Sequence, residues 1–275
     1  SSVTGSNVLA VESAAALAAQ LNVSPVQVSA GQIVSVIMTV TNNGQADAVS
    51  VLPVTPTSSI AGTAVIFESP AAVTIPGGAS AVFMWSYTTQ GSGTVIFTST
   101  AFGTDENSGL VKNSSSVSSN QLIIQSPAVL SSLISAAPVN IGTSNTVTVV
   151  MTVSNSGQAA ANAVSPSAIT VSGSAGFVAV ATPEVTSVTV NSGASAAFTW
   201  TYVVTSVGSI QFAASVSGTD SNSGNSAAVP ETASNWVQVQ PDYPVLTSWV
   251  NVTPNIINNN QRYTVILSVS NAGIV

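Results

Sequence analysis

The stretch VTNNGQADAV, Val40 to Val49, returns as VSNSGQAAANAV at Val153 to Val164 and again as VSNAGIV at Val269 to Val275. Each copy closes an alternating apolar run. Val34, Val36, Met38 and Val40 fall on one face of an extended segment; Val147, Val149, Met151 and Val153 repeat that row, as do Tyr263, Val265, Leu267 and Val269. Period-two alternation ended by an Asn- and Gly-rich turn marks a half-buried β-strand. Further out, WSYTT at Trp85 returns as WTYVV at Trp200, and GTDENSG at Gly103 as GTDSNSG at Gly218, both displaced by 115 positions, whereas Asn42 to Asn155 is 113. Two extra residues are therefore expected in the second copy, in the Ala-rich stretch after Gln158.

Two more apolar rows accompany the first. Phe83, Trp85 and Tyr87 match Phe198, Trp200 and Tyr202, while Val95 and Phe97 match Ile210 and Phe212. Three inward rows from segments far apart in sequence suit the two inner faces of a sandwich, about 10 Å apart. The fold class is thus all-β, with tandem immunoglobulin-like sandwich modules of about 115 residues. Helix signals are weak, and Glu12 to Gln20 is the only segment able to form a short helix.

A further correspondence divides the chain. SNVLAVESAAALAAQLNVSP from Ser6 aligns with SNQLIIQSPAVLSSLISAAP from Ser119 and SNWVQVQPDYPVLTSWVNVTP from Ser234. In the later copies this segment closes one module and opens the next through a short Pro-containing connector, which restricts hinge motion. Residues 1–13 are accordingly expected to be the closing strand of a preceding module, or a donor strand. Residues 14–126 and 127–241 are expected to form complete modules, and 242–275 the opening strands of an incomplete third. On this reading the chain is a window, mature at Ser1, on a longer repetitive polypeptide; strand donation between copies is the alternative.

Composition removes whole classes of function. With no His and no Cys in 275 residues, no Ser-His-Asp or Cys-His arrangement, His/Cys zinc site or imidazole shuttle can be assembled. Lys112 and Arg262 are the only cations against nine carboxylates, so neither nucleic acid nor an anionic membrane meets a basic surface. No apolar run nears the roughly 20 residues of a spanning helix. The scattered acids offer no facing pair for glycoside hydrolysis, and a single lysine cannot make a repeating isopeptide crosslink. Catalysis is not expected, and no cofactor is implied. The surface is instead Ser, Thr, Asn and Gln, with charged residues at 4%, a composition that stays in solution poorly unless packed or glycosylated.

The candidate sites are few. Asp105, Glu106 and Asn107 in the first GTD-x-NSG segment, with Asp220 and Asn222 in the second, offer the carboxylate and amide oxygens that calcium prefers; the same residues also make ordinary turns, and two or three oxygens fall short of a full shell of six to eight. Asn22, Asn113 and Asn251 each open an Asn-x-Ser/Thr sequon, the acceptor pattern for surface glycans. Ile37, Val150 and Ile266 recur on the face opposite the core row, as a lateral contact or through β-propensity alone. Trp236 and Trp249 stand outside the inward rows and are expected to seal a junction between modules.

Where NNGQADA follows its alternating Val strand, the sequence resembles the CARDB-like and related immunoglobulin-like repeats of bacterial and archaeal surface proteins. That resemblance implies extracellular stalks, adhesins, envelope layers and filaments, with no catalytic residues to carry over; the chain is read as a self-associating structural filament or stalk at the cell surface. A secreted adhesin or carbohydrate-binding repeat protein is the alternative.

Overall fold

A computed structural model describes residues 9–59, 64–66, 70–183, 186–271 and 273, and every helix or strand assigned among them is a strand. No helix there is long and apolar enough to cross a membrane. The chain divides into two units, Ser1–Pro127 and Ala128–Val275.

In chain order the first unit holds β1 (Leu17–Ser24), β2 (Gln27–Ser29), β3 (Ile33–Asn42), β4 (Ala48–Pro53), β5 (Thr57–Ser58), β6 (Ala64–Ile66) and β7 (Val73–Ile75). It continues with β8 (Ser80–Thr89), β9 (Gly93–Val95), β10 (Phe97–Ser99), β11 (Ala101–Asp105), β12 (Val111–Asn113), β13 (Val117–Ser118) and β14 (Leu122–Gln125). One antiparallel sheet runs β1-β3-β8-β6. In the facing layer, β4 and β5 pair with β11 and β10, β12 to β14 pair on the other side of β9 to β11, and β7 borders β4. β2 closes the edge by running parallel to β14. The first stretch of chain so serves both layers, β1 in one and β2 in the other, in an immunoglobulin-like sandwich.

Alternation decides which side chains fill it. Val34, Val36, Met38 and Val40 are buried, as are Phe83, Trp85 and Tyr87 from β8 and Val95, Phe97, Leu122 and Ile124 from the other layer. The segment Glu12 to Gln20, the one able to form a short helix, does not do so: Leu17 to Gln20 belong to β1 and pair with Thr39 to Asn42 of β3. Alanine favours a helix by only a few tenths of a kcal/mol per residue over most others. Burying Leu17, Leu21 and Val23 of β1 outweighs that, because each such side chain is worth about 1.5–3 kcal/mol.

The second unit repeats the arrangement with β15 (Leu130–Ala137), β16 (Asn140–Gly142), β17 (Thr146–Asn155), β18 (Ala161–Pro166), β19 (Thr170–Gly173) and β20 (Phe177–Ala181). After these come β21 (Val188–Val190), β22 (Ser195–Val204), β23 (Gly208–Asp220), β24 (Ser226–Ala233) and β25 (Val237–Gln240). One sheet is β15-β17-β22-β20; the other is β16-β25-β23-β18-β21, with β19 and β24 also on β23. Pairing relocates the two extra residues. Ala161 and Ala179 occupy the places of Ala48 and Ile66, still 113 apart, whereas Val188 takes the place of Val73, 115 apart. The insertion therefore lies between Ala179 and Val188 and not after Gln158, where the Ala-rich spelling hides an unbroken strand register.

One bulge shapes the site described below. Ser50 in β4 and Ala163 in β18 take positive φ values of 54° and 51°, and pairing on both sides of each strand shifts register there. The bulge presses Val51 and Val164 against the neighbouring strand, where a Cβ on Gly103 would sit 2.8 Å from Val51 Cγ2 and one on Gly218 2.9 Å from Val164 Cγ2. The glycine of each GTD motif is the residue that admits this approach.

Beyond the second sandwich, β26 (Leu246–Thr253) and β27 (Thr264–Asn271) form an antiparallel hairpin. Its register, with Leu246 opposite Asn271, copies Leu17 opposite Asn42 and Leu130 opposite Asn155. Leu246, Val250, Val252, Val265, Leu267 and Val269 hold the places that are core in the sandwiches, yet each is 42–66% exposed. At the other end, Leu9 to Ala16 form no strand, and Leu9 and Val11 are about 85% exposed. Ser6, Asn7 and Val8 of the expected closing strand, and Ala272, Ile274 and Val275 of the third repeat, lie outside the described residues.

Candidate functional site

Asp105 ends β11 in phase with Val95, Phe97 and Ala101, so its carboxylate points inward and is 1% exposed. Oδ1 accepts from Ser108 N at 2.7 Å and Ser108 Oγ at 2.6 Å; Oδ2 accepts from Ala15 N at 2.6 Å. The Ser108 hydroxyl, then the Ala15 and Ser108 amides, hold its carboxyl down to about 2, against an opposing push from burial and with a smaller pull from Lys112. Asp220 repeats the design at the end of β23. Its Oδ1 takes Asn222 N at 3.1 Å, Ser223 N at 2.8 Å and Ser223 Oγ at 2.9 Å, while Oδ2 takes Ala128 N at 2.7 Å. The carboxylate thus caps the turn from β11 to β12, or from β23 to β24, and fastens the backbone two residues before the first strand of its unit.

The other loop candidates sit apart from this buried group. Glu106 and Asn107 are exposed, and Asn107 Nδ2 donates to Glu12 Oε2 at 3.0 Å. Asn222 enters the turn through its backbone amide. Among the described residues no three His, Cys, Asp or Glu side chains gather as a metal cluster.

The asparagines read as strand-ending turn formers do more than turn the chain. Asn42 is fully buried. Its Oδ1 accepts from Ala16 N and Gly44 N, both at 3.0 Å, and its Nδ2 donates to Ala46 O at 2.8 Å and Ile75 O at 3.1 Å. Asn155 makes the same four bonds, from Val129 N and Gly157 N and to Ala159 O and Val190 O, at 2.8–3.1 Å. In the hairpin, Asn271 Oδ1 accepts from Val245 N at 3.0 Å and Gly273 N at 2.8 Å. A second amide acts as a stitch between layers: Asn120 Oδ1 accepts from Val23 N at 2.8 Å while its Nδ2 donates to Val23 O at 3.1 Å, and Asn235 does the same to Ala136 at 3.0 and 2.9 Å. Serine hydroxyls bridge the final segments likewise, with Ser119 Oγ taking Phe97 N and Ser234 Oγ taking Phe212 N. Polar satisfaction here is done by neutral side chains, which suits a chain so poor in charge.

Asn22 in β1 and Asn113 in β12 are exposed, and Asn251 in β26 is half-buried. Trp236 and Trp249, expected to seal a junction, are 46% and 61% exposed. The core tyrosine Tyr87 donates to Pro56 O at 2.8 Å, and burial pushes its hydroxyl up to about 12; burial also raises that of Tyr202. A cleft of about 140 Å³ lined by Pro166, Ser167, Thr182, Pro183, Thr186 and Trp200 carries no titratable side chain and is smaller than the roughly 300–1,000 Å³ of small-molecule sites.

No family model matches the chain, and no curated protein matches it; the resemblance to CARDB-like repeats rests on the motif alone. Among solved structures, the Escherichia coli adhesin FdeC aligns over 97% of this chain and 76% of its own, at 14% identity and a TM-score of 0.33. The native alpha-2-macroglobulin of E. coli aligns over 85% of this chain at 10% identity and a TM-score of 0.32, and the form activated by porcine elastase over 86% at 11% and 0.33. The chain spans only 18% and 23% of those two. Likenesses this slight leave the fold assignment resting on the sheet order and burial described above.

Proposed function

We propose that this chain is a structural segment of an extracellular, cell-surface filament or stalk built of repeated β-sandwich modules, and that its activity is mechanical support and self-association rather than catalysis. The observation that carries the reading is the bare core face of the β26–β27 hairpin. Six aliphatic side chains whose counterparts in both sandwiches are buried or packed against the core face solvent there, and burying each is worth about 1.5–3 kcal/mol. A second sheet from a further module, in the same or another chain, is the surface whose shape and chemistry answer that face. A hydroxyl- and amide-rich exterior with almost no cations fits a location outside the cell.

Light scattering and negative-stain imaging of the native protein test the proposal, with trypsin as a probe of the hairpin. Arg262 lies in the exposed loop between β26 and β27. Assembled material is expected to be extended, multimeric and protected at Arg262, and Leu267→Asp to release units whose circular dichroism still shows folded sandwiches. A monodisperse monomer at high concentration, cleaved freely at Arg262, would refute it. The exposed Trp236 and Trp249 favour one alternative, a secreted adhesin or carbohydrate-binding repeat protein, for which a soluble glycan should quench tryptophan fluorescence.

A further inference from the structure

The three sequons share a structural setting that their spelling does not show. Asn22 lies directly opposite Ile37, which lies opposite Met84 on the next strand. Asn113 lies opposite Phe102, which lies opposite Leu52. Asn251 lies opposite Ile266. Directly paired residues project from the same side of a sheet with Cβ atoms about 4.5–5.5 Å apart, and Met84, Phe102 and Ile266 are 51%, 42% and 49% exposed. Each sequon is therefore the polar end of a short outward apolar row.

The second sandwich supplies an internal control. Its row at the place of Asn22, Ile37 and Met84 reads Ser135, Val150 and Thr199. Its row at the place of Asn113, Phe102 and Leu52 reads Ala228, Ser217 and Ser165. Where the sequon is missing, the outer row becomes smaller and more polar. Strand propensity alone gives no reason for the two to change together, since the same positions are strand in both units.

We propose that Asn22, Asn113 and Asn251 carry N-linked glycans, and that the first sugar of each lies over its cross-strand neighbours, Ile37 and Met84, Phe102 and Leu52, and Ile266. The sugar comes from a lipid-linked glycosyl phosphate or pyrophosphate. The bond from its anomeric carbon to the phosphate oxygen breaks, the bond from that carbon to Asn Nδ2 forms, the amide gives up one proton, and the lipid phosphate or pyrophosphate leaves. Strands lie about 4.8 Å apart, so a ring joined at Nδ2 falls beside the next strand, where its C–H face covers apolar atoms and its hydroxyls face water. The glycans supply the solubility that a 4% charged surface lacks.

This inference rests on the surface reading above, because such transfer acts on chains exported across a membrane. Its test is peptide mass spectrometry of native protein shaved from intact cells with chymotrypsin. Peptides containing Asn22, Asn113 and Asn251 are expected to carry hexose or N-acetylhexosamine mass. Unmodified asparagines in protein shaved from intact cells overturn the inference and leave the surface reading standing; protein reached only after lysis overturns both. Phe102→Ser tests the packing: it should lower Tm in both forms, and by about 2–4 °C more in the glycosylated protein than in the unglycosylated one. Equal shifts in the two forms overturn the contact.

Discussion

Replacing Asn42 with alanine probes the reasoning most sharply, because a residue read as a turn former is predicted to be among the costliest to lose. The side chain is fully buried and makes four hydrogen bonds at 2.8–3.1 Å to backbone groups of Ala16, Gly44, Ala46 and Ile75. A typical bond contributes about 1 kcal/mol net, and a buried group left unpaired costs about 1–3 kcal/mol. Four bonds lost together amount to about 4 kcal/mol, the lower end being set by water entering the gap. Against the roughly 5–15 kcal/mol that holds a domain together, that is a large share. Urea denaturation followed by tryptophan fluorescence should show the first sandwich, with Trp85, unfolding at lower denaturant while the second, with Trp200, keeps its midpoint. Asn42→Asp separates bonding from volume: it fills the same space but turns two donors into acceptors facing carbonyls, and should cost at least as much at neutral pH. A loss under about 1.5 kcal/mol for the alanine variant, or an aspartate variant as stable as the parent, would refute the pin.

Truncating Trp85 or Trp200, both buried, to alanine should destabilise its own sandwich by about 3–5 kcal/mol in the same assay; near-neutral values would mean the core rows are wrongly placed. Asp105 is held at about 2 against an ordinary 3.8, so between those values the unfolded chain takes up a proton that the folded chain refuses. Stability is then whole above about pH 5 and falls as pH drops from about 4 to about 2; Asp105→Asn should flatten that part of an acid titration, and an unchanged slope would count against the cap. Because the oxygens of Asp105 and Asp220 are engaged by N–H and O–H donors, EDTA and millimolar calcium are expected to leave Tm unmoved; a calcium-dependent rise would identify the GTD-x-NSG segments as cation sites. Limited trypsin on dispersed protein should cut after Arg262 in its exposed loop and spare Lys112, paired in β12, which fragment masses would reveal.

Much of the fold was legible because alternation reports burial directly. The rows through Val34, Phe83 and Val95 and their counterparts in the second sandwich are all internal, and the outward faces are mostly Ser, Thr, Asn and Gln with a few exposed apolar side chains such as Val82, Met84 and Phe102. The pins were written in the same code. Asn42 continues the phase of Val34 to Val40, Asn155 that of Val147 to Val153, and Asp105 that of Val95 and Phe97, so each polar residue stood in an inward slot. What sequence could not supply were their distant partners, two of which for Asn42 lie 26 and 33 residues away and are backbone atoms that carry no residue identity. The segment from Glu12 to Gln20 was ambiguous for a related reason: alanine satisfies both a helix and a small inward strand position, and only pairing with β3 decides between them. The asparagines of the sequons were visible, but the apolar neighbours that set them apart lie on other strands.

The parallel seam that closes each sandwich has a mechanical consequence. Gln27 to Ser29 run alongside Ile123 to Gln125, and Asn140 to Gly142 alongside Gln238 to Gln240, each pair with both chains heading the same way. Tension along the polypeptide drags the incoming strand backward and the outgoing strand forward, so the two slide past each other. The bonds between them, including Ile123 N to Val26 O at 2.9 Å and Ala30 N to Gln125 O at 2.8 Å, are then strained simultaneously. A hairpin pulled at its open end surrenders its bonds in turn, each rupture needing little force, whereas a sheared seam must give way as a patch. The Asn120 amide, clamped to both backbone groups of Val23, adds resistance just outside that patch. A module built this way is brittle under load and strong before it breaks.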